Sequence, residues 1–238
     1  MKTRDIKLTL GFYLLAVAAL TIPASQAAQQ AAVKQTENRI ELDALGGQLE
    51  VGDVVFIRIP NRLFTKVADT TQSWTNHVGI VTDVSGEEPQ ISESRFPLSG
   101  STTWSRFVAR SEHERVAVGR LHKAQDHQKH RKIAKAAAAR TGILYDTGFD
   151  LHSRRQFCSR FVREVLDEAT GVRLGQAENF SALLANNPEA DLAFWRMWYF
   201  GYIPWQRETV TPASLLNDAQ LHIIFDGYTG TTNSNKGD

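Results

Sequence analysis

Residues 157–168 read FCSRFVREVLDE and residues 76–84 read NHVGIVTDV, and these two stretches decide how the chain is organised. Phe157, Phe161, Val162, Val165 and Leu166 recur at helical spacing. The first stretch therefore predicts an amphipathic helix that ends at Gly171, with Ser159, Arg160, Arg163 and Glu164 pointing outward. The second is a β-branched run, 78–84, with His77 at its entry, and it predicts a strand. Cys158 is the one cysteine of the chain, and it falls in the first helical turn. Backbone N–H groups are free there and the helix dipole favours a thiolate. A cysteine with no disulfide partner is either a small buried hydrophobe or a reactive thiol, and this position favours the reactive one.

Working outward, LEVGD at 49–53 leads into an apolar strand, 54–59, closed by Pro60. Residues 89–96 and 115–121 predict two more strands. Residues 125–139, rich in Ala, Lys and Gln, predict a helix stopped by Gly142. The segment 145–156 is polar and irregular and delivers the chain to the Cys158 helix. Residues 180–200 are mostly helical with a break near Asn186-Asn187-Pro188. Thr211 followed by Pro212 marks another helix start, and 221–225 is a last strand. Strands first and helices packed around them argue for an α+β domain with a mainly antiparallel sheet.

The ends set the compartment. Lys2, Arg4 and Lys7 precede the apolar stretch 8–22, and Ser25-Gln26-Ala27 supplies small residues for cleavage, so 1–27 reads as a secretory signal peptide. The apolar stretch is short for a bilayer span, and no cysteine follows it to take a lipid, so no stable membrane anchor is expected after cleavage. The expected location is the periplasm or the exterior. The remaining chain divides into a leader or short helix (28–46), one domain (47–228) and a flexible tail (229–238). Removing Lys2, Arg4, Lys7 and Asp5 with the signal turns the formal charge of +1 into −1, which gives no electrostatic case for nucleic acid.

A thiol nucleophile needs a nearby base, and the base needs a third group to fix its ring. Of seven histidines, His113, His122, His127 and His130 lie in or beside a solvated Lys/Gln-rich stretch, and His152 sits in a polar loop. His222 belongs to the last strand. His122, His127 and His130 lack an accompanying carboxylate or cysteine pattern, so neither a metal nor another cofactor is expected. His77 alone stands at the entry of a core-like strand, where a base would be held rigidly; a satisfied core histidine is the competing reading.

The ordered set LEVGDVVF, NHVGIVTDV, QISES, YDTGFD and QFCSRFV resembles the permuted branch of the NlpC-type papain-like superfamily, the YiiX/YebB-like proteins. The resemblance runs from about Leu49 to Gly171, with a weaker echo in TPASLLND. It implies a circularly permuted papain-like fold in which the histidine strand precedes the cysteine helix. It also implies Cys158 as nucleophile, His77 as general base and Glu93 as the group that orients the imidazole. Tyr145 and Asp146 match the family's tyrosine–aspartate stretch and are the candidate substrate-side residues. Read alone, Glu93 is equally an exposed strand residue, and Asp146 equally a turn residue. One departure is that relatives often carry Cys-Ser-Glu-Leu where this chain has Cys158-Ser159-Arg160-Phe161, which bears on substrate preference.

The implied activity is an exported cysteine hydrolase that cleaves an amide bond through a thioester acyl-enzyme. Peptidoglycan peptides are the first substrate class. A lipid acyl hydrolase or acyltransferase with the same triad is the second reading, encouraged by the aromatic run DLAFWRMWYFGYIPW at 191–205, which is a core segment, an acyl pocket or a bilayer contact. A non-catalytic module that binds a cell-wall or lipid fragment is the third.

Overall fold

The computed structural model describes residues 39–230. In chain order its elements begin with β1 (Arg39–Ile40), α1 (Leu42–Gly46), β2 (Val54–Ile57), α2 (Arg62–Thr70), β3 (His77–Asp83) and β4 (Gln90–Glu93). Next come β5 (Gly100–Thr103), α3 (Trp104–Val108), β6 (Arg115–Leu121), α4 (His127–Ala138) and α5 (Cys158–Thr170). The chain closes with β7 (Glu178–Asn179), α6 (Phe180–Ala185), α7 (Leu192–Trp198), β8 (Glu208–Thr209), α8 (Pro212–Leu216) and β9 (Leu221–Thr229). Seven strands form one sheet in the order β1-β9-β6-β2-β3-β4-β5, antiparallel except for the parallel pair β1–β9, while β7 and β8 make a separate ribbon. The expected α+β class with a mostly antiparallel sheet packed against helices is what the chain adopts.

The middle of the sheet is covered on both faces. Val54, Phe56, Val78 and Ile80 pack against Ile133 of α4 and Phe161, Val162 and Val165 of α5. Val55, Ile57, Val81 and Ile91 face Leu45 of α1 and Trp104 and Phe107 of α3. All four residues of β2 are fully buried, which is why 54–57 reads as an unbroken apolar run rather than an alternating one.

The LEVGD motif is a brace for this sheet. Gly52 adopts φ +101, a conformation open to glycine, and donates its N–H to Val81 O. That turn sets the buried carboxylate of Asp53 to accept from Arg120 Nε and Nη2, both at 2.7 Å, and from Glu50 N at 2.8 Å. The first corner of β2 is thereby tied to β6.

Several boundaries differ from expectation. Residues 39–46, expected in the leader, are built into the domain, with Arg39 and Ile40 in register with Tyr228 and Thr229 and Leu45 in the core. β9 accordingly runs on to Thr229, past the expected end at 225. The helix α2, the strand β5 and the helix α3 were not anticipated. The signal for α2 was present in Asn61, whose side chain accepts the Leu63 N–H as an N-cap. The expected signal peptide (1–27), most of the leader and most of the tail lie outside the described residues.

Candidate active site

The helix α5 begins at Cys158 and ends at Gly171, which takes the left-handed φ of 77 that closes a helix. Phe157 precedes it in extended conformation and offers no side-chain cap to the first-turn N–H groups. Phe161, Val162, Val165 and Leu166 bury the expected face. Ser159 departs from the expected outward direction. It is 1% exposed and donates its hydroxyl to Val210 O at 2.7 Å, tying the Cys158 turn to the chain ahead of α8.

The other two members of the expected triad come from adjacent strands. Ile80 pairs with Ser92, so Gly79 stands opposite Glu93, and His77 lies on the diagonal, within reach of a glutamate. His77 Nε2 and Glu93 Oε2 are 2.5 Å apart. A Cβ on Gly79 would meet Ile91 Cγ2 at 2.6 Å and Phe107 Cε2 at 2.9 Å, so this glycine admits core side chains beneath the histidine rather than a substrate. The Phe107 ring lies 5.8 Å from the imidazole and the Phe64 ring 6.0 Å from it on another side.

Cys158, His77 and Glu93 are 3%, 1% and 0% exposed, so their charges act on one another with little screening by water. Burial alone pushes the imidazole down, but the Cys158 thiolate and the Glu93 carboxylate outweigh it and raise His77 to about 9. Burial likewise pushes the Cys158 thiol up; the imidazolium overcomes it, helped by hydrogen bonds from the Tyr145 hydroxyl and the Val78 N–H, and the thiol ends below its ordinary range. With Nε2 on Glu93, Nδ1 is the nitrogen left for the sulfur. Nδ1 has no strictly aligned hydrogen-bond partner, so the resting contact between ring and thiol is electrostatic and loosely directed.

Tyr145 reaches the site through the irregular segment. Tyr145 is bridged to Gln156, and Asp146 N donates to Gln156 O at 2.8 Å, which lays 144–146 beside the chain entering α5. Ser94, at the end of β4, donates to the same Gln156 carbonyl at 2.8 Å. The Tyr145 hydroxyl is 4.0 Å from Cys158 Sγ and also meets the Cys158 backbone N–H. Burial and the neighbouring thiolate hold this phenol well above its ordinary value, so it remains a donor.

Asp146 is brought into the neighbourhood but not to the sulfur. Its carboxylate accepts the N–H groups of Gly148 (2.9 Å) and Asp150 (3.0 Å), which is the work of a turn. The loop is held from above by Trp198 Nε1 on Thr147 O (3.0 Å) and Tyr199 OH on Gly148 O (3.1 Å). Arg160 closes it from below, donating to Ser153 O at 2.6 Å and Arg155 O at 2.9 Å while pairing with Glu164. The basic residue two positions past Cys158 thus organises its own chain.

Arg110 is a residue that the sequence reading missed. Its Nη2 donates to both Glu93 oxygens, at 2.8 and 2.9 Å, from behind the carboxylate. Arg110 follows α3, an element not anticipated, and nothing in WSRFVARS connects it to a glutamate seventeen positions upstream.

A small cavity of about 40 Å³ opens beside Cys158. Its wall is mainly apolar surface from Phe64, Phe149, Phe157, Leu183, Trp195 and Val210. The aromatic run is therefore divided: Phe194 and Trp195 are buried, Trp198 and Tyr199 brace the loop, and Phe200 and Tyr202 face solvent.

A strand-borne imidazole followed in sequence by a thiol at a helix start, with helix and sheet packed together, defines the class: a permuted papain-like cysteine hydrolase. The chain belongs to the permuted papain-like amidase family, YaeF/YiiX, C92, whose sequence pattern matches residues 48–225. It is similar to the uncharacterized protein YiiX of Escherichia coli strain K12, with 23% identity over 185 residues, covering 78% of this chain and 90% of that protein. Its fold is similar to the crystal structure of metalloprotein yiiX from Escherichia coli O157:H7, with a TM-score of 0.71 and 23% identity, covering 76% of this chain and 99% of that one. Among the described residues no three His, Cys, Asp or Glu side chains are grouped so as to hold a metal ion.

Proposed function

We propose that the protein cleaves an amide bond with Cys158 as nucleophile, His77 as general base and acid, and Glu93 as the group that orients the imidazole. The observation that carries this reading is the buried series of carboxylate, imidazole and thiol, in which the Glu93–His77 contact is 2.5 Å and the thiol is drawn below its ordinary range by the imidazolium. The thiolate attacks the carbonyl carbon, and the carbonyl oxygen takes up the negative charge. The Cys158 N–H and the Tyr145 hydroxyl are the donors suited to receive it. His77 gives its proton to the departing amine, and the acyl group stays on sulfur as a thioester. Water, deprotonated by the now neutral His77, then releases the acid and restores the thiol. Asp146 serves this site by shaping the Tyr145 loop rather than by touching substrate.

Substrate selection rests on the cavity and the compartment. Export through the segment 1–27 would bring the enzyme to peptidoglycan peptides, our first substrate class; none of the described helices is long and apolar enough to cross a membrane. The second reading, hydrolysis or transfer of a lipid acyl group, is favoured by one observation, the apolar wall of the cavity beside the sulfur. Incubation with purified muropeptides and, in parallel, with fatty-acyl amides and acyl thioesters separates the two: cleavage of lipid substrates alone would overturn the peptide reading. A binding module without catalysis predicts no turnover of either set and a Cys158 that iodoacetamide modifies only as an ordinary thiol.

A further inference from the structure

We propose that Arg110 is a positioning residue of this site, gripping both carboxylate oxygens of Glu93 so that Oε2 stays on His77. The proposal rests on the catalytic reading of Cys158 and His77 given above. Its basis is geometric. A single guanidinium nitrogen bridges the two Glu93 oxygens at 2.8 and 2.9 Å, opposite an imidazole at 2.5 Å from Oε2. The guanidinium lies over the Phe107 ring at 4.9 Å, and the same ring borders His77 at 5.8 Å. Phe107 is thus a spacer that fixes the arginine and the histidine on either side of one fully buried carboxylate. Planarity and the stacked ring suit arginine to this place, and lysine keeps the charge without the stacking.

Glu93 has no exposure to water, so burial pushes its carboxyl up, and the hydrogen bond and charge of His77 together with Arg110 bring it below the ordinary value. The groups facing Glu93 are His77 from β3, Arg110 from the chain after α3, and Arg95 just beyond β4, whose Nε lies 3.8 Å from Oε1 and whose side chain is 45% exposed. Those facing His77 besides Glu93 are Cys158 from α5 and Tyr145 beside it. Arg95 is too exposed and too distant to replace Arg110. Without Arg110 the burial of Glu93 goes partly uncompensated, so the carboxyl takes a proton at higher pH, and the imidazolium then loses its partner while the solution is still acidic.

The test is the pH profile of Cys158 alkylation by iodoacetamide in the wild-type protein, Arg110→Gln and Arg110→Lys, with thermal unfolding measured alongside. The chain has a single cysteine, so the rate reports this thiol alone. The acid limb of the profile should move upward by about one pH unit in Arg110→Gln, at the low end of what a charged neighbour does because Arg110 is part-exposed. Arg110→Lys should return most of the way to wild type. Superimposable profiles, a downward shift, or a lysine variant no better than the glutamine one at equal folded fraction would overturn the proposal. A wild-type thiol that titrates in the ordinary range would overturn the catalytic reading and this proposal together, an outcome distinct from an acid limb that is present but indifferent to Arg110.

Discussion

His77 Nε2 meets Glu93 Oε2 at 2.5 Å across β3 and β4, and the absence of a side chain at Gly79 lets Ile91 and Phe107 close in beside them. The site is thus set by strand register: the pairing of Ile80 with Ser92 fixes the diagonal on which His77 and Glu93 meet.

Gly79→Ala should therefore disturb chemistry through packing. A Cβ at 2.6 Å from Ile91 Cγ2 and 2.9 Å from Phe107 Cε2 forces core side chains to shift, at a cost of about 1–3 kcal/mol. Thermal unfolding should show the loss of stability, and kcat should fall more than KM rises, because the displaced Phe107 carries His77 with it. An alanine variant with wild-type Tm and kcat would contradict the packing described here.

Replacing the reacting groups should separate chemistry from folding. Cys158→Ala and His77→Ala are each expected to lower kcat by about 10³-fold or more while the far-ultraviolet spectrum is retained. Glu93→Gln keeps a hydrogen-bonding partner for the ring but removes its charge, and about 10²-fold is expected. Turnover persisting in Cys158→Ala would remove the covalent mechanism.

The pH dependence follows from His77. Its folded value is raised to about 9 from an ordinary 6.5, so the ion pair stabilises the fold fully below 6.5 and that contribution disappears as pH rises through about 9. The same deprotonation removes the acid that protonates the leaving amine. A plot of kcat/KM should fall on the alkaline side near 9, and on the acid side below the ordinary thiol range as Cys158 gains its proton. These limbs belong to the coupled pair rather than to either residue alone. An alkaline limb near the ordinary histidine value would show that the thiolate and Glu93 do not hold the imidazole as described.

The cavity makes a prediction of its own. Leu183 lines it within reach of the same space as Cys158, and Leu183→Phe narrows it. If the acyl group of the substrate occupies this cavity, the variant should lose activity toward long acyl chains while a short acyl amide reacts at the wild-type rate. Equal losses on both would place the acyl group elsewhere.

How much of this was legible beforehand depended on whether the signal was local. The helix at Cys158, the strand at His77 and the strand 115–121 announce themselves through period and β-branching, and their bounds in the structure are close to those expected. The α+β class followed from the order of strands and helices, and the family from the order of the motifs. Glu93 came only through resemblance, since a four-residue strand says nothing of which carboxylate is buried. Arg110 and Ser94 left no trace in the sequence because their partners, Glu93 and the Gln156 carbonyl, are brought to them by tertiary packing. Ser159 was misjudged for a similar reason: helical periodicity places it outward, but the chain ahead of α8 arrives to cover it.

The most direct measurement of the central claim is the ultraviolet absorbance of the Cys158 thiolate as a function of pH in the wild-type protein and in His77→Ala. With one cysteine in the chain, the signal below the range of tyrosine ionisation belongs to this sulfur. The account predicts a thiolate that forms below the ordinary thiol range in the wild type, and only within or above that range once the imidazole is gone. Coincident titrations for the two proteins would mean that His77 and Cys158 do not act as a pair.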